Sequence, residues 1–258
     1  MSVFIFMPTR NNLYWLRESI KTLQWYSDLD NNKLFVFDSA CSDGTNEYLH
    51  ENNINTFNSL VNISGDKCFN IMAEKFMKET KLKYFCYVHD DMLFTKNWLN
   101  IMIKEIESIK DCFLLGCACI LHKKCYMIHD DERNAIAEKL KEDFTGRAGP
   151  PMFLIKRECF EKVGYIDEGF AYGECSDNDY FKRIEEAKGK FLLTHKAVIF
   201  HGEKTTRSNI PGHNNYVKKS LEYFSKKHNG ADRNGWGYNY RPMKRVGNEL
   251  YKVWGAKN

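Results

Sequence analysis

The apolar run Tyr84-Phe-Cys-Tyr-Val88 stops abruptly at His89-Asp90-Asp91. This junction constrains the fold more than any other stretch of the chain. Five apolar, aromatic-rich residues read as a buried strand. Charges are costly to bury without a partner. Carboxylates ending such a strand therefore suggest a hard cation, and an open α/β sheet binds its ligands at that edge. Taken alone, the segment suits a turn built on Asp equally well. Three further acidic or histidine landmarks at matching strand ends favour the ligand site.

Strand and helix signals alternate around this run. Ser2–Met7 is apolar, and Leu13, Leu16, Ile20 and Leu23 then recur at helical spacing. Leu34–Phe37 is a short strand ending at Asp38, and Asp43-Gly44-Thr45 turns into a helix through Leu49. Asn55–Ile63 reads as a strand and Phe69–Met77 as a helix. Trp98–Ser108 reads as a helix and Phe113–Ile120 as another buried strand. The polar segment 123–149 predicts an inserted helix and loop over one edge of the site. Beyond it come a strand over Met152–Ile155, a helix over Asp179–Ala187, and strands over Phe191–Thr194 and Ala197–Phe200. Tyr216, Val217, Leu221 and Phe224 mark a last amphipathic helix. Such alternation predicts an α/β fold with a mostly parallel sheet flanked by helices.

Composition narrows the class. At 258 residues, 43% hydrophobic and 28% charged, the chain has the balance of a globular domain. No apolar stretch approaches the roughly 18 residues of a membrane span, and a strand from Ser2 leaves no room for a signal peptide. Nine cysteines, mostly in apolar contexts, predict reduced core thiols in a cytoplasmic protein. Net charge is +4, unevenly spread: residues 203–258 hold 12 Lys and Arg against 4 Asp and Glu, and residues 1–202 hold 26 against 30. A basic tail on a mildly acidic body points to an anionic ligand, polymer or surface, such as the inner face of a membrane; a solvated surface is the plainer account.

Four landmarks carry the chemistry. They are Asp38 with Asp43-Gly44-Thr45, His89-Asp90-Asp91, Glu174 with Asp177 and Asp179, and His201-Gly202. No Walker loop or dinucleotide glycine fingerprint is present. A nucleotide diphosphate would then need a divalent ion to neutralise it, which suits acidic strand ends.

In their order these motifs resemble those of an inverting GT-A glycosyltransferase of family 2, in the nucleotide-diphospho-sugar transferase superfamily. The likeness covers roughly residues 2–202. Pro8-Thr9-Arg10-Asn11 resembles the opening strand-loop that borders the nucleotide. Asp38 and Asp43-Gly44-Thr45 resemble the D-x-x-S-x-D-G-T segment, whose first Asp contacts the base. His89-Asp90-Asp91 with Trp98 resembles the D-x-D region and its trailing tryptophan. Residues from Pro151 to Arg157 and from Val163 to Glu168 resemble the acceptor-side segment. Ser176-Asp177-Asn178-Asp179-Tyr180 stands where the family has Glu-Asp-x-Asp-Leu, with Arg183 at helical spacing, and His201 matches a metal-binding histidine.

The resemblance implies a GT-A, Rossmann-like catalytic domain over 1–202 and a basic, aromatic, helical extension over 203–258 packed on it. It implies Mn2+ or Mg2+ on Asp91, His201 and His89. Thr9, Arg10, Asn11, Asp38, Asp43 and Asp90 would border the nucleotide, with Lys204 and Arg207 on the departing diphosphate. Asp177 is the first choice for general base, supported by Asp179 and Glu174. The donor would be a UDP- or GDP-sugar and the acceptor a hydroxyl on a glycan, a lipid-linked glycan or an anionic polymer. Two departures stand out: His89 replaces the first acid of D-x-D, and Ser176 replaces the Glu of Glu-Asp.

Each landmark has a structural alternative. Asp38 can cap a turn, Asp179 can pair with Arg183 four residues on, and His89 and His201 can be satisfied core histidines. Trp236-Gly-Tyr-Asn-Tyr240 among Arg233, Arg241, Lys244 and Arg245 also suits stacking on sugars or nucleic-acid bases. The alternatives to a glycan transferase are therefore glycosylation of modified DNA bases and a catalytically inactive sugar-nucleotide binder.

Overall fold

The computed structural model describes residues 2–29, 33–121, 125–141, 145–146, 152–202, 212–231, 244–246 and 249–254. Its centre is β1 (Val3–Thr9), whose side chains divide by parity. Val3, Ile5 and Met7 enter one hydrophobic cluster, whereas Phe4 and Phe6 enter another. Alternation in a strand apolar at nearly every position places a packed layer on each face of the sheet. One layer is largely aliphatic and is covered by α1 (Leu13–Tyr26) and α4 (Trp98–Ser108). The other is rich in phenylalanine and is covered by α3 (Gly65–Glu79), α6 (Arg157–Val163) and α7 (Ser176–Glu186). There Phe4 stacks on Phe35 at 4.4 Å, and Phe85 meets Phe76 and Phe160 edge-on.

The sheet is mixed. β2 (Lys33–Ser39) and β4 (Tyr84–Tyr87) run parallel to β1 on its two sides, and β3 (Asn55–Ser59) follows β2, with α2 (Thr45–Glu51) between them in the chain. Beyond β4 lies β8 (Phe153–Lys156), antiparallel both to β4 and to β6 (Cys112–Leu121). The chain thus builds outward from β1 toward β3, then returns to β1's other side with β4. That reversal is a topological switch point, where an open sheet leaves a crevice at the strands' carboxyl ends. Thr9 ends β1 there, and His89-Asp90-Asp91 follows β4.

Two segments differ from the sequence expectation. The strands expected at 191–194 and 197–200 are one strand, β9 (Lys190–His201). It runs parallel to β6 with a register shift that pairs Thr194 with Cys117 and Val198 with Ala118, so His195-Lys196-Ala197 forms a bulge rather than a turn. The short β5 (Met92–Leu93) pairs antiparallel with the end of β9, setting Met92 opposite His201. The inserted middle contains α5 (Asp130–Leu140), whose Ile136, Ala137 and Leu140 cover a third cluster with Val198 and Phe200, and the short β7 (Thr145–Gly146), antiparallel to β9.

The extension holds α8 (His213–Lys227), as its spacing predicts, and in addition an antiparallel pair, β10 (Lys244–Val246) and β11 (Glu249–Trp254). β11 adds to the sheet edge along β6. All nine cysteines are free thiols, eight of them buried. No helix among the described residues is long and apolar enough to cross a membrane.

Candidate active site

The loops at the switch point bring the strand-end landmarks together. Thr9 and Asp38 stand side by side in the β1–β2 register, both buried. Thr9 Oγ1 donates to Asp90 Oδ2 at 2.7 Å, which ties the end of β1 to the loop after β4. Burial and then the neighbouring Asp91 charge push the Asp90 carboxyl up to about 7, against hydrogen bonds from Thr9 and Asn12. Asp38 Oδ1 accepts from the Cys41 amide at 2.7 Å, and Asn11, at φ 47°, accepts from the Ser42 amide through Oδ1. Arg10 donates to the Ser39 carbonyl.

Asp43 is differently placed. One oxygen accepts from the Leu13 amide at 2.9 Å, at the start of α1, and the other from the Thr45 hydroxyl and amide at the start of α2. Burial alone would raise this carboxyl. The hydrogen bonds from Thr45 and Leu13 outweigh it and hold the group below the ordinary Asp range. Its geometry is that of a cap shared by two helices.

His89, Asp91 and His201 form one constellation. His201 Nε2 lies 3.0 Å from Asp91 Oδ1 and 3.4 Å from His89 Nδ1, and one ligand atom from each residue falls within 4.8 Å of the others. The β5–β9 pairing makes this possible, reinforced by the Gly202 amide donating to the Asp91 carbonyl at 2.8 Å. Gly202 admits no side chain, because a Cβ would stand 2.8 Å from the Trp15 ring. Two imidazole nitrogens and a carboxylate oxygen facing one point fit a divalent cation. Ligands at right angles on bonds of about 2.1 Å stand about 3 Å apart, close to the two spacings above. The far nitrogen of His201, Nδ1, is buried and makes no hydrogen bond among the described residues.

The acceptor-side residues separate into two groups. Asp179 is fully buried and faces inward, as the alternative of an ion pair predicts. Arg183 Nε donates to its Oδ2 at 2.8 Å, and Lys227 and His228 approach its Oδ1 at 2.7 and 2.8 Å. Arg157 is likewise structural: it donates to carbonyls of Phe76, Met77, Thr80 and Leu82 around the end of α3. Trp98 is a core residue whose Nε1 donates to Ser27 Oγ. Asp177 stays part-exposed in the first turn of α7, with Oδ1 accepting from the next amide, and Glu174 lies just before that helix, also part-exposed. Lys204 and Arg207 lie outside the described residues, as do Trp236–Tyr240.

Two residues of this region escaped sequence reading. Asn70, on α3, accepts from the Ile166 amide and donates to the Ile166 carbonyl and Glu168 Oε1, so it fastens the 166–168 loop. Asp66, in the first turn of α3, accepts from Ser176 Oγ at 3.0 Å. Their partners are 96 to 110 positions away in sequence, and no local pattern signals them.

No family model matches the chain. No curated protein sequence matches it either. Solved structures do share its fold. The mannosyltransferase PcManGT from Pyrobaculum calidifontis, in complex with GDP-Man and Mn2+, superposes with a TM-score of 0.63 at 13% identity. That match covers 89% of this chain and 65% of the mannosyltransferase, so the chain spans less than two thirds of that protein. S. aureus TarS 1-349 in complex with UDP-GlcNAc superposes with a TM-score of 0.64 at 12% identity, over 90% of this chain and 68% of its own. The architecture is therefore the α/β fold of GT-A glycosyltransferases.

Proposed function

We propose that this protein is a metal-dependent, inverting glycosyltransferase that moves a sugar from a nucleotide diphosphate to a hydroxyl acceptor. The observation that carries the reading is the convergence of His89, Asp91 and His201 at the switch point of this fold. The similarity to sugar-nucleotide enzymes supports it, since one similar structure holds GDP-Man with Mn2+ and another UDP-GlcNAc. Residues 1–202 would form the catalytic unit, with 203–258 packed on it.

The nucleoside would lie over the ends of β1 and β2, where Asp38 meets base or ribose and Thr9, Arg10 and Asn11 shape the loop. The diphosphate would lie toward Asp91, and Lys204 and Arg207 would meet it as it departs. A divalent ion on His89, Asp91 and His201 would supply the charge that stabilises the leaving diphosphate. Two imidazoles make the donor set softer than an all-oxygen one, which favours Mn2+ over Mg2+. Asp177 would accept the acceptor's hydroxyl proton. The oxygen then attacks the anomeric carbon, and the bond to the diphosphate breaks on the opposite face with its electron pair, which inverts the centre. The free cysteines favour a reducing, cytoplasmic setting.

The test is a thermal-shift panel of GDP- and UDP-sugars with and without Mn2+, followed by assay of diphosphate release. A ligand of the folded state raises the melting temperature. A stabilising nucleotide sugar that acts only with Mn2+ supports the reading, and indifference to every donor refutes it.

A further inference from the structure

We propose that Asp66 supplies the acceptor-side carboxylate that the chain lacks at Ser176, and that it holds the attacking hydroxyl beside Asp177. This rests on the transferase reading above and adds a residue to its machinery. The starting point is a gap in the sequence: the position expected to carry Glu, immediately before Asp177, carries Ser176. A serine cannot hold a negative charge at this position. It can, however, donate a hydrogen bond, and Ser176 Oγ lies 3.0 Å from Asp66 Oδ1 as well as 2.9 Å from the Gly173 carbonyl. The short side chain thus leaves space for a carboxylate delivered from α3.

Three structural facts place that carboxylate at the site. Asp66 is in the first turn of α3, whose N-terminus follows β3 at the same edge of the sheet as Thr9 and Asp38. The preceding loop is fixed to that edge, because the Ile63 amide donates to Ser39 Oγ at the end of β2. On the other side, Gly173 sits in the left-handed region at φ 71°, and a Cβ there would lie 3.2 Å from both Asp66 oxygens. The glycine therefore keeps an open volume against the carboxylate, of the size that a hydroxyl group fills. Asp66 remains part-exposed, as does Asp177.

In the reaction, Asp66 would accept a hydrogen bond from the incoming hydroxyl while Ser176 fixes the other oxygen. Asp177 takes the proton, so Asp66 needs only its charge and its position. Orienting one attacking group in this way is worth about 10- to 100-fold in rate.

The experiment measures hydrolysis of a nucleotide sugar that stabilises the wild type with Mn2+, so that water serves as the acceptor. Asp66→Asn keeps an oxygen for Ser176 to donate to and removes the charge. It should lower turnover by about 10-fold or more with the donor KM and the melting temperature unchanged. Ser176→Glu in the Asp66→Asn background should restore turnover, because it returns a carboxylate to the position where the sequence lost it. Ser176→Ala, which leaves the charge but frees it, should have the smaller effect. Wild-type turnover in Asp66→Asn overturns the proposal. So does a loss that tracks melting temperature and is equal in Ser176→Ala, since that would make the pair merely structural. A wild type that shows no Mn2+-dependent binding of any donor would refute the transferase reading itself, an outcome distinct from normal hydrolysis by the Asp66→Asn variant.

Discussion

Asp179→Asn should weaken the fold while leaving the proton acceptor in place. The Asp179 carboxylate is fully buried and serves three cationic groups: Arg183 at 2.8 Å, Lys227 at 2.7 Å and His228 at 2.8 Å. Removing one side of a buried charge pair costs about 3–5 kcal/mol, because the remaining charge stays desolvated. Two features set the lower end of that range. Lys227 keeps Asp167 as a second carboxylate, and Arg183 keeps the carbonyls of Val163 and Tyr165 at 2.9 and 2.8 Å. An asparagine also retains one acceptor. The expected loss is therefore about 3 kcal/mol, or roughly 6–12 °C of melting temperature in a chain of this size. The loss should concentrate at α8, whose end is fastened through Lys227, with His228 just beyond it. The assay pairs thermal melting with diphosphate release, measured well below the variant's midpoint. Unchanged melting together with lost turnover would refute the argument and move Asp179 into the catalytic machinery.

The remaining predictions address the cation, the acid response and the thiols. His89→Ala and Asp91→Asn should each weaken Mn2+ binding by about 10-fold or more with the fold retained; electron paramagnetic resonance of free Mn2+ reads this without any substrate, and unchanged affinity would remove that residue from the site. Burial opposes the charge of Asp167, but Lys227, the Gly169 amide and Tyr223 outweigh it and depress its pKa in the folded state. Its contribution is present above the unfolded Asp value near about 4 and is lost as pH falls through the lower folded value. Amide exchange in α8 should therefore accelerate on acidification below about pH 4, and Asp167→Asn should be loosened already at neutral pH. Burial, with Asp38 adding to it, pushes the half-buried Cys41 thiol up to about 12 despite a hydrogen bond from the Asn11 amide. Iodoacetamide at pH 8 should leave Cys41 unmodified in the folded protein and label it on unfolding; rapid labelling of the native state would contradict this.

The parts of the fold legible in the sequence are those where pattern and burial coincide. α4 runs over Trp98–Ser108 as its apolar spacing predicts, since Trp98, Leu99, Met102 and Ile106 all face the core. β1 and β4 are apolar at nearly every position because both of their faces are covered. Legibility fails where a segment's state depends on remote partners. His195-Lys196 interrupts an apolar run and reads as a turn, yet His195 is fully buried in a bulge that the β6 register imposes. α6, over Arg-Glu-Cys-Phe-Glu-Lys-Val, is mostly polar and shows only Cys159 and Phe160 to the core. β5 is two residues long and exists only through its pairing with β9.

The same distinction explains the two departures in the site motifs. At His89 the chain lacks an acid, and at Ser176 it lacks another. Read locally, each looks like decay of the chemistry. In space, His89 faces His201 from 112 positions away, and Ser176 meets Asp66 from 110 positions away. A cation responds to the number and kind of donors around one point, and an attacking hydroxyl to the carboxylates within reach. Neither depends on which strand end supplies them. A histidine in place of an acid lowers the negative charge of the cation site and softens its donors, which shifts its preference among cations. A serine in place of an acid leaves a hydrogen-bond donor where a second carboxylate, carried by α3, can dock. If both compensations hold, His89→Asp should move the cation site toward Mg2+, and Ser176→Glu should make Asp66 dispensable. Failure of the second with success of the first would confine compensation to the leaving-group side of the reaction.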